Sequence, residues 1–104
     1  MPRGVTKSDW DRVTDLACNV VNASEAGDNS TFTSARTELL KYLQALRLKY
    51  GDHPSILSTI GDFLDDPAER MSYYKKALTL ARNQGDVQEV EETLDSIKHL
   101  KGIS

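Results

Sequence analysis

The chain has 104 residues, the length of one modest domain. Hydrophobic residues make up 38% and charged residues 28%, enough apolar surface to build a core, which argues against wholesale disorder. A formal charge of −3 disfavours general nucleic-acid binding, because phosphate contacts need a basic surface.

The single cysteine, Cys18, excludes an intramolecular disulfide and fits a reducing compartment. The start, Met1-Pro2-Arg3-Gly4-Val5-Thr6, lacks the apolar stretch of a secretory signal. No apolar run is long enough to span a bilayer, so a cytoplasmic location away from membranes is expected.

Five helices are predicted. The first covers about Ser8 to Ser24, with Ser8 as N-cap and Asp9 and Asp11 in a first turn that favours negative charge. Trp10, Val13, Ala17, Val20 and Val21 recur at helical spacing as its apolar stripe, with Cys18 among them as a small buried hydrophobe. The polar stretch from Glu25 to Ser30 reads as a loop.

The second helix begins near Thr33 and carries Leu39, Tyr42, Leu43, Leu46 and Tyr50 on one face, with Gly51 as its stop. The third is short, from about Pro54 to Leu64, with Pro54 at the first position. Ile56, Leu57, Ile60, Phe63 and Leu64 cover one broad face. Asp66 caps the fourth, which runs from Pro67 to Gln84 and places Met71, Tyr74, Ala77, Leu78 and Ala81 inward. Asp86 caps the fifth, where Val87, Val90, Leu94, Ile97 and Leu100 line up at steps of three and four. Residues 1–7 read as a flexible N-terminus, 8–101 as one helical domain and 102–104 as a frayed end. The expected fold is all-α, two antiparallel helical hairpins plus a closing helix.

One phrase occurs twice. Tyr42-Leu43-Gln44-Ala45-Leu46-Arg47-Leu48 returns as Tyr74-Lys75-Lys76-Ala77-Leu78-Thr79-Leu80, and Gly51-Asp52 returns as Gly85-Asp86. The spacings, 42 to 74 and 51 to 85, lie near the period of about 34 that marks stacked helix pairs. On these residues the chain resembles a degenerate tetratricopeptide-repeat protein, best over Asp52 to Asp86. Leu57, Tyr74 and Ala77 occupy matching places. The family's tryptophan place falls on Pro54, its glycine on Ser58, its first-helix tyrosine on Gly61 and its early second-helix small residue on Arg70. A side chain as long as Arg70 is expected to splay the pair or to point outward. The resemblance implies a short solenoid whose first helices line a concave groove.

Charge segregates along the chain. The balance is −3 over residues 8–25, +3 over 33–50, −5 over 51–69, +4 over 70–84 and −5 over 85–95. On the plan that the resemblance implies, the groove is acidic and its back basic. The groove-facing candidates are then Ser55, Thr59, Asp62 and Phe63, with Glu89, Glu92, Thr93 and Ser96 on the closing helix. A groove of this kind attracts a basic protein partner. The same acids also suit helix N-termini, and Asp52, Asp65, Asp66 and Asp86 are expected at caps and turns.

Cys18, His53 and His99 lack zinc-site spacing, and no glycine-rich phosphate loop occurs. The expectation is a non-enzymatic interaction domain without cofactor or metal. It would cover a basic protein, as a bacterial toxin-neutralising immunity protein does. The rival readings are a secretion chaperone or adaptor that grips a peptide, and a small helical enzyme or metal-dependent regulator that uses Cys18 and His53. The sequence fixes no oligomeric state.

Overall fold

A computed structural model describes residues 4–102, and among them every regular element is helical. The helices are α1 (Lys7–Ala26), α2 (Asn29–Tyr50), α3 (Pro54–Phe63), α4 (Pro67–Gln84) and α5 (Val87–Leu100). They form two compact units, one ending at Gly51 and the other beginning at Asp52. Residues 1–3 of the expected flexible start and 103–104 of the expected frayed end lie outside the described residues.

In the first unit α1 and α2 pack as a hairpin. The expected loop over Glu25 to Ser30 shrinks to Gly27 and Asp28. Gly27 takes a left-handed φ of 72° and its amide reaches back to close α1. Asp28 caps α2, accepting from the Thr31 amide at 3.1 Å and the Thr31 hydroxyl at 2.7 Å. The first turn of α2 is exposed and polar, so it lacks the apolar rhythm that identifies a helix in sequence.

Thr6, not Ser8, caps α1, its hydroxyl accepting from the Asp9 amide at 3.2 Å. Tyr50 supports that choice from α2, its hydroxyl oxygen accepting from the Thr6 amide at 3.3 Å. Val5 just before it is buried. The buried stripe of α1 is Val13, Leu16, Val20 and Ala23. Val21 is 48% exposed and Cys18 is exposed, correcting its expected burial. One residue is about 100° of helix rotation, so the neighbour of a buried residue easily faces water. In α2, Leu39, Leu43 and Leu46 are buried while Tyr42 and Tyr50 are half-buried.

Asp9 ties the two helices together. Its carboxylate accepts from Lys49 Nζ at 2.7 Å, from the Tyr50 hydroxyl and from the Tyr42 hydroxyl at 3.3 Å. The Lys49 bond first, then the Tyr50 bond, hold the Asp9 carboxyl at about 2. The same bond to Asp9 raises Lys49, and burial, followed by the Asp9 charge, raises Tyr42.

In the second unit α4 packs against both α3 and α5, and α3 also touches α5. Short turns on either side of α4 make α3 and α5 run the same way. Ile56, Leu57 and Ile60 of α3 are fully buried, each worth about 1.5–3 kcal/mol of hydrophobic transfer. Tyr74, Ala77 and Ala81 are the buried face of α4. In α5 the expected apolar stripe is only partly covered. Val87 is 68% exposed, Val90, Leu94, Ile97 and Leu100 are half-buried, and the buried residues are Glu89 and Thr93. The helix is therefore rolled from its hydropathy pattern toward Glu89 and Thr93, by less than the roughly 100° that separates neighbouring residues.

Arg70 neither splays the pair nor points away. Its Nε donates to the Gly61 carbonyl at 3.0 Å and its Nη2 to the Tyr74 hydroxyl at 3.2 Å. Gly61 is buried against Tyr74 so closely that a Cβ there would lie 2.8 Å from Tyr74 Cε1. The Tyr74 ring occupies the space that a larger residue at 61 would fill.

Candidate functional site

The α3–α5 pair of the second unit gathers the residues expected to face a partner. Pro54 at its first helical position and the His53 cap start α3, with His53 Nδ1 accepting from the Ser55 amide at 3.2 Å. Asp86 starts α5, accepting from the Glu89 amide at 3.1 Å. These caps place Ser55 and Ser58 on one helix beside Glu89 on the other.

Ser55 Oγ donates to Glu89 Oε2 at 3.1 Å, and Ser58 Oγ to Glu89 Oε1 at 2.9 Å. Glu89 is only 8% exposed. A buried carboxylate is tolerated when donors satisfy it, and two hydroxyls perform that task here. Ser58 was not among the residues expected at this surface. Its only sequence signal is the spacing of three from Ser55, which shares a helix face. Thr93 lies one turn beyond Glu89, 1% exposed, and its hydroxyl is buried without a hydrogen-bond partner.

The burial of Glu89 and Thr93 corrects their expected place on an open groove. The remaining candidates lie nearer solvent. Ser55, Thr59, Phe63 and Ser96 are half-buried, and Asp62 and Glu92 are exposed. Thr59 donates to the Ser55 carbonyl at 2.6 Å and Ser96 to the Glu92 carbonyl at 3.2 Å, so both hydroxyls serve their own helices. Glu92 accepts from Gln88 Nε2 at 3.2 Å.

Asp62 accepts from the Tyr74 hydroxyl at 2.6 Å. Although the residue as a whole is exposed, loss of water around its carboxyl raises it above the usual carboxylate value; the Tyr74 bond and the Arg70 charge pull the other way. Burial, then the bond to Asp62, pushes Tyr74 up to about 12.

Over residues 51–69 and 85–95 the charge is of one sign, and the first cation beyond them on α5 is the exposed Lys98 in its last turn. Asp62, Asp65 and Asp66 follow along α3 and its turn, Glu69 opens α4, and Glu91, Glu92 and Asp95 lie along α5, all exposed. No Lys or Arg occurs in residues 51–69 or 85–95. The cations of this stretch, Arg70, Lys75, Lys76 and Arg82, lie on α4.

For the enzyme or metal reading, Cys18 lies on α1 in the first unit, while His53 serves as the α3 cap in the second. Among the described residues no three His, Cys, Asp or Glu side chains gather where they could hold a metal ion. Among the same residues no helix is long and apolar enough to cross a membrane.

Comparison with protein-family models, with curated proteins and with solved structures gives no match. The tetratricopeptide resemblance thus rests on the doubled phrase and its spacing.

Proposed function

We propose that this chain is a non-enzymatic interaction domain whose second unit binds a basic protein through the acidic surface of α3 and α5. One observation carries the reading: the exposed charges on those two helices and the α3–α4 turn are all negative from residue 51 to 69 and from 85 to 95. Such a surface raises the encounter rate with a cationic partner and disfavours acidic ones. Covering a basic toxin, and so neutralising it, is the biological form of this proposal. The Ser55–Glu89 and Ser58–Glu89 bonds favour it by fixing α5 on α3, so that the carboxylates are presented on a rigid support.

The test is capture of the partner on the full chain, followed by stopped-flow association at increasing salt. Association should slow as salt screens the charges. Asp62→Asn with Glu92→Gln should slow it about two- to tenfold at low salt, because rim charges act mainly on the on-rate. Rates indifferent to both salt and these substitutions would refute the proposal.

A further inference from the structure

The acidic surface has a buried member unlike the rest. Glu89 is 8% exposed and has no ion pair among the described residues. Its two hydrogen bonds come from neutral hydroxyls, one to each oxygen. A carboxylate offers about four acceptor positions, so about one on each oxygen stays open. One turn along the same face, the Thr93 hydroxyl is more than nine-tenths buried and has no partner. A hydrogen-bonded charge without a countercharge therefore adjoins a hydroxyl without a hydrogen bond.

We infer that Glu89 is the anchor for an arginine side chain of the basic partner, received between α3 and α5, with Thr93 as its second acceptor. This rests on the acidic-surface proposal and names the partner group that it selects. A guanidinium fits better than an ammonium. Its planar fork can meet both Glu89 oxygens at once, and a remaining N–H can reach a third acceptor. The half-buried Ser55 and Ser58 form the rim through which it enters, and the exposed Asp62 and Glu92 supply the attracting field.

The experiment uses the full chain, isotopically labelled, titrated with tetra-arginine and separately with tetra-lysine while amide shifts are followed by NMR. Tetra-arginine is expected to shift the amides of Ser55, Ser58, Glu89 and Thr93 and to bind more tightly than tetra-lysine. Glu89→Gln should weaken tetra-arginine about tenfold or more, the scale of a lost charge-assisted bidentate contact. Glu25→Gln, on exposed α1, should leave affinity unchanged. Helical circular dichroism confirms that each variant is folded. Should Glu89→Gln unfold the chain, the wild-type shift map and the arginine-over-lysine preference decide alone. Equal binding of both peptides with shifts confined to exposed Asp62 and Glu92 overturns the arginine anchor and leaves the acidic-surface proposal standing. Absence of shifts on α3 and α5 with either peptide overturns both.

Discussion

Replacing Gly61 with alanine separates local helix preference from tertiary packing. Alanine is the better helix former, by about 0.8–1.0 kcal/mol in a helix interior and by less this close to the end of α3. On that ground alone Gly61→Ala stabilises. Yet its Cβ would sit 2.8 Å from Tyr74 Cε1, 3.0 Å from Cδ1 and 3.3 Å from Cζ. The ring cannot swing aside cheaply, because its hydroxyl is bonded to both Asp62 and Arg70. Overpacking of this kind costs about 1–3 kcal/mol. The clash wins, and a net loss of about 1 kcal/mol is expected, which lowers the melting temperature by about 4–8 °C for a domain of this size. Hydrogen exchange of α3 and α4 amides reads the second unit, while Trp10 fluorescence reports the first as a control. In a Tyr74→Leu background the clash is gone, and Gly61→Ala should become neutral or stabilising. A gain of stability from Gly61→Ala with Tyr74 intact would refute the packing argument.

Tyr74→Phe removes the hydroxyl bonded to Asp62 and Arg70 and should cost about 1–3 kcal/mol by urea unfolding. Because Tyr74 is raised to about 12 from 10.0, the folded state holds its proton longer than the unfolded one; stability should fall between those pH values, and Tyr74→Phe should abolish that component. Asp9 shifts the opposite way, to about 2 from 3.8. Its contribution is complete above 3.8 and is lost as pH falls to about 2, so Asp9→Asn should flatten the acid limb of Trp10-monitored melts; an unchanged limb would assign it to other carboxylates. Ser55→Ala with Ser58→Ala strips both donors from buried Glu89 and should cost about 3–6 kcal/mol, measured by hydrogen exchange of α5, since bonds to charged groups are worth about 1.5–3 kcal/mol each. A loss under about 0.5 kcal/mol would show that water replaces the serines.

Much of the candidate site was legible before folding. The spacing of the doubled phrase and the charge balance drew attention to the third and fifth helices, where Ser55 and Glu89 bond each other instead of both facing a groove. What escaped was depth. Glu89 and Thr93 look like solvent residues beside Val87 and Val90, but the way α5 lies on α3 and α4 buries the polar pair and exposes Val87. Hydropathy assigns an apolar face; it does not register a serine on another helix that makes a carboxylate tolerable inside.

Helices whose ends are local events are readable from the residues alone. Asp66 before Pro67, Gly85 after Gln84 and Asp86 before Val87 satisfy or replace backbone hydrogen bonds within a few residues, so α4 and the start of α5 fall where the caps place them. Packing between helices decides that Cys18 faces water, that Gly61 makes room for Tyr74 and that Arg70 turns back onto α3. Each depends on a partner at least nine residues away or on the roll of a helix about its axis. A shift of one residue in that roll turns the helix by about 100°, enough to exchange a buried side chain for an exposed one.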